Sequence, residues 1–367
     1  MQVLHQGGGA GSVTSTLHLS LGLARAGWDV RFVCPPDSEV EALAQERGLA
    51  VRPLALLPHS RRENAAALAR LIAAERVALV NSQSARDRAA LTWLGMTGRL
   101  EVPFVATRRQ MPRTMFLENW IASRIAARVV AVSTAVAEAL LRRGTPRRKL
   151  AVIPNGLVAE RVDRVVAPGA VDEWRVRIGW EPGRRALGIV SRRKDQAVVL
   201  TALEEVRTPV RLILAGAGQD GGLVEAAQRV PSRHAVVILP FVPDVRPLYE
   251  LLEVVLLPSR MEGFSQSLLE AMALGKPVIA SAAAGNLDLV TDGVDGLLAP
   301  PDDPAAWAAA IERLLADPSL GSRLGEAGRR TARETYALDR TVERTAELYR
   351  DVLRCPTPTA RSDSSPV

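Results

Sequence analysis

Short apolar runs alternate with longer stretches in which apolar positions return at helical spacing, and this alternation sets the reading of the chain. Residues 1–5 carry a first strand pattern, residues 13–25 a helix stopped by Gly27, and residues 28–33 a second strand. Helix patterns follow near 38–46 and 63–74, with strands near 51–54 and 78–80. Residues 103–107 read as a further strand, 114–127 as a helix, 129–133 as a strand and 134–141 as a helix. A last strand runs from 150 to 153. Such repeated βα units predict a parallel sheet with helices on both faces.

Residues 159–183 are polar and charged, contain Pro168-Gly169, and read as a linker with one helix. The alternation then restarts. Strand patterns occupy 186–190, 210–215, 235–239, 254–257, 277–280 and 296–298. Helical patterns occupy 245–251, 304–315, 319–336 and 338–353, and another opens after Phe264 and is closed by Gly275 and Pro277. The expected class is α/β, with two Rossmann-like domains. The first spans residues 1–165 and the second 166–337, and residues 355–367, rich in Pro and Ser, are expected to be disordered.

Composition narrows this only slightly. At 367 residues the chain is long enough for two cores. A net charge of +7 points to an anionic partner, although only three of the 47 basic residues are lysines, which fits genome composition equally well. No nucleic-acid motif accompanies the charge, so none is expected as a partner. Cys34 and Cys355 suggest neither a disulfide framework nor a zinc site. No apolar run reaches the roughly 18 residues that span a bilayer, and the N-terminus lacks the charged and apolar regions of a signal peptide, so a cytoplasmic protein is expected.

The run from Arg260 to Pro277 concentrates the chemistry. Glu262 lies in a loop after a strand, and Glu270 about two turns along the helix. Gly263 permits close backbone approach, and the N–H groups of Phe264, Ser265 and Gln266 sit where a helix dipole favours an anion. A nucleotide sugar suits this arrangement, with its diphosphate on the helix N-terminus, ribose hydroxyls on Glu270 and sugar hydroxyls on Glu262. A hydrolytic pair of carboxylates is disfavoured, since eight helical steps rise about 12 Å. The bland alternative is two surface glutamates. In Ser191-Arg192-Arg193-Lys194, directly after a strand, cations stand where they can neutralise a diphosphate.

Glu262-Gly263-Phe264, Leu269-Glu270-Ala271-Met272-Ala273 and Gly275-Lys276-Pro277-Val278 together resemble the E-x7-E signature of retaining GT-B glycosyltransferases of family 4, also called glycosyl transferases group 1. Ala131-Val132-Ser133 and Val152-Ile153-Pro154-Asn155-Gly156 are similar to the end of that family's first domain. The resemblance implies two Rossmann-like domains facing a cleft, with helix 338–354 packed back on the first. It also implies metal-independent transfer of a sugar from a nucleotide-diphosphate-sugar with retained configuration, and no cofactor. Absence of Asp-x-Asp agrees with that. Glu262, Arg192 and Lys194 then become the catalytic group, with Arg193 able to stand in for either cation. Donor binding falls to Gly8, Gly9, Arg192, Lys194, Phe241, Val242, Glu262, Gly263, Phe264, Ser265, Gln266, Ser267 and Glu270. Of these, Gly8 and Gly9 belong to the glycine loop near donor phosphate, and Phe241 and Val242 edge the base unless Phe241 simply packs.

On the acceptor side the family's histidines are replaced by Gln83 and by Arg108 and Arg109, which favours a charged acceptor. The loop around Ser84 is as well explained by a helix N-cap. Residues 114–127 carry Met115, Phe116, Trp120, Ile121 and Ile125 among arginines, a stripe that suits an anionic membrane surface or an ordinary core. A lipid-linked, polysaccharide or other envelope acceptor is therefore expected, with the protein peripheral at the inner membrane face. A phosphorylase of the same fold and a non-catalytic nucleotide-sugar binder are the alternatives.

Overall fold

The computed structural model describes residues 1–8, 11–112, 115–192, 194–218 and 220–354. Gly9, Arg193 and the expected disordered tail at 355–367 lie outside the described residues. The chain forms two compact units, one of Met1–Gly156 with the segment from Leu338 onward, the other of Leu157–Ala337.

Unit 1 holds a parallel sheet of β1 (Gln2–Val3), β2 (Arg31–Cys34), β3 (Ala50–Pro53), β4 (Val80–Ser82), β5 (Phe104–Arg108), β6 (Arg128–Ala131) and β7 (Leu150–Val152). Its order is β3-β2-β1-β4-β5-β6-β7. The strands are short, and their apolar residues are covered on both faces: Phe32, Val33, Cys34, Val80 and Val105 are fully buried. The order reverses at β1, whose neighbours are β2 and β4, so a topological switch point lies between β1 and β4.

Helix Leu338–Arg354 belongs to this unit and packs Val342, Ala346, Tyr349 and Val352 into the cluster that holds Leu19 and Leu23 of helix Gly11–Arg25. Gly22 makes the crossing close, since a Cβ there would stand 2.4 Å from Val342 Cγ2. The Tyr349 hydroxyl accepts from Gln2 Nε2 at 2.9 Å and Asn81 Nδ2 at 2.6 Å. Asn81 Oδ1 in turn accepts from Thr107 Oγ1 at 3.0 Å.

Unit 2 repeats the plan with β8 (Arg185–Val190), β9 (Val210–Ala215), β10 (Ala235–Leu239), β11 (Val254–Leu257), β12 (Val278–Ser281) and β13 (Leu297–Ala299). All pairs are parallel, in the order β10-β9-β8-β11-β12-β13. Here the switch point lies between β8 and β11. The core sits on Trp307, Leu187, Ile189, Leu212, Leu214 and Ile311.

Two local differences from the sequence expectation have visible causes. The helix expected over 319–336 is α-helical only over Pro318–Arg330 and then widens into a π-helical turn, Thr331–Thr335, where Thr331 Oγ1 donates to Asp295 Oδ2 at 2.9 Å. Residues 157–165, read from sequence as the end of the first domain, fall in unit 2, because the short helix Ala159–Asp163 is tied there. Arg333 Nη2 bonds Asp163 Oδ1 at 2.6 Å, and Arg246 Nε donates to the Val162 carbonyl at 3.0 Å.

Candidate functional site

In unit 2 the loops that leave β8 and β11 stand side by side, because those strands are neighbours in the sheet. Both emerge at carboxyl ends at the switch point, where open α/β sheets take ligands. The β8 loop carries Arg192, Lys194 and Asp195, and the β11 loop carries Arg260 and Glu262. Lys194 is ion-paired with Glu262, and Asp195 Oδ2 accepts from the Arg260 backbone N–H at 2.9 Å. The basic loop is fastened by Gln196, whose buried side chain accepts from the Lys194 N–H at 2.6 Å and donates to the Arg192 carbonyl at 2.8 Å.

The charges in this loop differ in state. Burial pushes the Lys194 ammonium down to about 8, against the pull of Asp195 and with a further push from Arg192. Arg192 is exposed, and no described residue holds its guanidinium. One cation is thus partly desolvated and pre-set on a carboxylate, while the other is open to an incoming anion.

After β11 the chain passes Gly263 and enters helix Gln266–Ala273, capped by Ser265. Ser265 Oγ accepts from the Leu268 N–H at 3.3 Å, and the Leu269 N–H bonds the Ser265 carbonyl at 3.1 Å. The first-turn donors left open are therefore those of Gln266 and Ser267, a little later than the sequence suggests. Ser267 Oγ lies 3.3 Å from Ser265 Oγ. Phe264 precedes the helix and is buried edge-on against Tyr336, with ring centroids 5.2 Å apart. Gly263 is fixed by close contact: the Gly285 N–H bonds the Glu262 carbonyl at 3.0 Å, and a Cβ on Gly285 would stand 2.1 Å from the Gly263 carbonyl oxygen.

Glu270 is buried, and Arg161 Nε donates to its Oε1 at 2.7 Å. Sequence reasoning singled out Glu270 but missed Arg161, which lies in a charged stretch read as linker. Phe241 is exposed at 58% and Val242 is half-buried. Phe241 therefore leaves a ring face uncovered in unit 2 instead of filling its core.

In unit 1 the residues assigned to an acceptor are interior. Gln83, Arg108 and Arg109 are all buried. Gln83 donates to Gln2 Oε1 at 2.7 Å and accepts from Arg109 Nε at 2.9 Å, and Arg109 also bonds Asn155. Arg108 turns to Asn119 Oδ1 at 2.8 Å. Burial lowers both guanidiniums, to about 9 for Arg108, where Arg88 also pushes down, and about 10 for Arg109. The structure thus brings Gln83 and Arg109 together, but as an internal brace.

Gly8 is exposed, and a Cβ on it would meet Glu39 Oε2 at 2.8 Å. At the switch point of unit 1 the polar loop around Ser84 is joined by His5, which the sequence left unassigned. His5 Nδ1 lies 3.3 Å from Asp87 Oδ1 and also bonds Ser84 Oγ, and Asp87 Oδ2 accepts from the N–H of Gln83 and of Ser84. Ser84 and Asp87 form a capping box for helix Ala85–Met96, the N-cap alternative read from the sequence. The available signal was Ser84-x-x-Asp87 after a strand.

Two family models match the chain: "Glycosyltransferase Family 4" over residues 9–161 and "Glycosyl transferases group 1" over residues 185–317. The D-inositol 3-phosphate glycosyltransferase of Salinispora arenicola is 35% identical over 207 residues, which is 55% of this chain and 43% of that protein. The chain spans about half the length of the curated relatives it matches. Among solved structures, Anabaena HepE in complex with UDP-glucose superposes with a TM-score of 0.81 at 19% identity, covering 95% of this chain and 98% of that one. WaaG, a glycosyltransferase involved in lipopolysaccharide biosynthesis, superposes with a TM-score of 0.69 at 16% identity, covering 95% and 97%. At these identities the two superpositions speak to the fold.

Proposed function

We propose that this chain, which belongs to the group 1 glycosyltransferases and has their α/β GT-B fold of two Rossmann-like units, moves a sugar from a nucleoside-diphosphate donor to an acceptor hydroxyl. The observation that carries the donor assignment is the Lys194–Glu262 pair, which ties the cationic loop after β8 to the loop that leads from β11 into helix Gln266–Ala273. Negative charge grows on the departing diphosphate as the glycosidic bond breaks. Two cations and a helix N-terminus stabilise it more in the transition state than in the ground state.

Glu262 is the sugar-side carboxylate, held by Lys194, and Glu270 the ribose-side carboxylate. Phe241 and Val242 edge the base. With the leaving group as the strongest base nearby, the acceptor attacks from the face the diphosphate leaves, and the anomeric configuration is retained. The positive charge is supplied by side chains and amides, so turnover needs no metal and persists in EDTA.

The acceptor is assigned to the carboxyl edge of the first sheet, which Gln83, Arg108 and Arg109 brace from inside, and is an envelope precursor carried on lipid or on a sugar. The protein works at the cytoplasmic membrane face. Supporting this, helix Phe116–Ile125 and its N-cap leave Met115, Phe116 and Leu117 exposed at 79%, 57% and 62%, and Arg124 lies over the Trp120 ring. Among the described residues no helix is long and apolar enough to cross a membrane.

The test is turnover of a nucleotide-sugar panel, with the product anomer read by proton NMR. Retained configuration supports the reading, and an inverted product contradicts it. Sugar phosphate formed from a glycoside and inorganic phosphate would establish the phosphorylase alternative. Donor binding without turnover against any acceptor would establish a binding protein.

A further inference from the structure

The geometry points to Arg161 as the residue that positions Glu270, and so as a determinant of ribose recognition in unit 2. This rests on the donor reading above, in which Glu270 takes ribose hydroxyls. Glu270 is a buried carboxylate whose helix gives it little choice of direction: Leu269, Ala271, Met272 and Ala273 around it are fully buried. A carboxylate taken out of water needs a compensating donor. The one the described residues supply is Arg161 Nε, 2.7 Å from Oε1. Nothing among the described residues donates to Oε2. One oxygen is therefore occupied and the other remains an acceptor for a ligand.

The pair is electrostatically committed. Burial acts to lower Arg161, but the Glu270 carboxylate outweighs it, and the guanidinium ends above its ordinary value. Tyr249 is also nearby and remains a neutral phenol, because burial first and the Glu270 charge second push it well up; its hydroxyl donates to the Ser267 carbonyl at 3.1 Å. Arg161 itself is held in place. Its helix, Ala159–Asp163, is pinned at its far end by Arg333 on Asp163 and by Arg246 on the Val162 carbonyl. Arg333 also donates to the carbonyl of Ala273 at 3.1 Å, the last residue of the Glu270 helix. The short helix and the donor helix are thus fixed together at two points, and Arg161 aims one carboxylate oxygen while leaving the other open.

The consequence is specificity for a ribonucleotide. A fixed acceptor that loses its hydroxyl partner is left unsatisfied, which is how a polar site rejects a deoxy analogue. Without Arg161 the carboxylate is free to turn, and its preference for ribose falls. Lys at this position keeps the charge but lacks the directional Nε donor.

The experiment measures, for the full chain, the affinity of the nucleoside diphosphate selected from UDP, GDP and ADP and of its 2′,3′-dideoxy analogue. Wild type, E270A, R161L and R161K are compared. Wild type is expected to prefer the ribonucleotide by about tenfold, consistent with one lost hydrogen bond to a charged group. E270A and R161L should both reduce that ratio to near one, with R161K between. If E270A removes the preference and R161L leaves it at the wild-type value, the positioning role is overturned while the donor reading stands. If wild type shows no preference, the ribose assignment fails and this inference with it. Should R161L not fold, R161K decides: an unchanged ratio there overturns the role.

Discussion

Among single residues, Lys194 decides most about the donor site. Its ammonium is held at about 8 by burial, so it is charged below that pH and neutral above it. In the donor reading a diphosphate prefers the charged form. Donor kcat/KM, which reports the free protein, should therefore fall as pH rises through about 8. K194R keeps its charge through the whole range and should move the fall beyond pH 9. A wild-type profile flat from pH 7 to 9.5, together with unchanged donor kcat/KM in K194A, would remove Lys194 from the donor site. Lys194 and Glu262 stood out in the sequence by their types and their places after two strands, and the structure pairs them. Arg161 did not, because its meaning comes from a contact 109 positions away along the chain. Nor did the burial of Arg108 and Arg109. An arginine pair after a strand looks like an exposed anion site until Gln83, Asn155 and Asn119 are seen to take its donors.

At the scale of elements, strands were the most legible, since strands buried on both faces are rich in Val, Ile and Leu, as β8, β9 and β11 are. Helix ends were less so, because caps and turns decide them. Ser265 starts the donor helix one position after Phe264, and a π-helical turn ends Pro318–Arg330. Helix Phe116–Ile125 shows how periodicity alone leaves function open: the same stripe suits a core or a surface, and only exposure separates them. Met115, Phe116 and Leu117 are exposed at its N-terminal end, and Lys149 is held at its C-terminal end by the carbonyls of Arg124 and Ala126. Vesicles containing phosphatidylglycerol should sediment the wild-type chain at low salt. M115S/L117S should lower the bound fraction at least fivefold without changing the thermal midpoint. Equal binding by the variant, or none by wild type, would leave the membrane reading without support.

At the scale of the whole molecule, both units are parallel sheets with a reversal of strand order, and in each the polar side chains gather where that reversal occurs. The sequence announced the repeated βα alternation but not the strand order, which depends on long-range pairing. It also did not reveal how the C-terminal helix is anchored in unit 1. Tyr349 satisfies Gln2 and Asn81 at once, and all three side chains are buried. Y349F leaves two buried amide donors unpaired and should cost about 2–4 kcal/mol of unfolding free energy in urea titration. A loss under about 0.5 kcal/mol would show that the helix is held by apolar packing alone.

The most direct measurement is calorimetric titration of the full chain with UDP, GDP and ADP and their monophosphates, repeated on R192A/K194A. The account predicts that one diphosphate binds, that its monophosphate binds at least tenfold more weakly, and that the double variant erases this difference. Failure of every nucleoside diphosphate to bind the wild-type chain, or equal affinity for mono- and diphosphate, would contradict it.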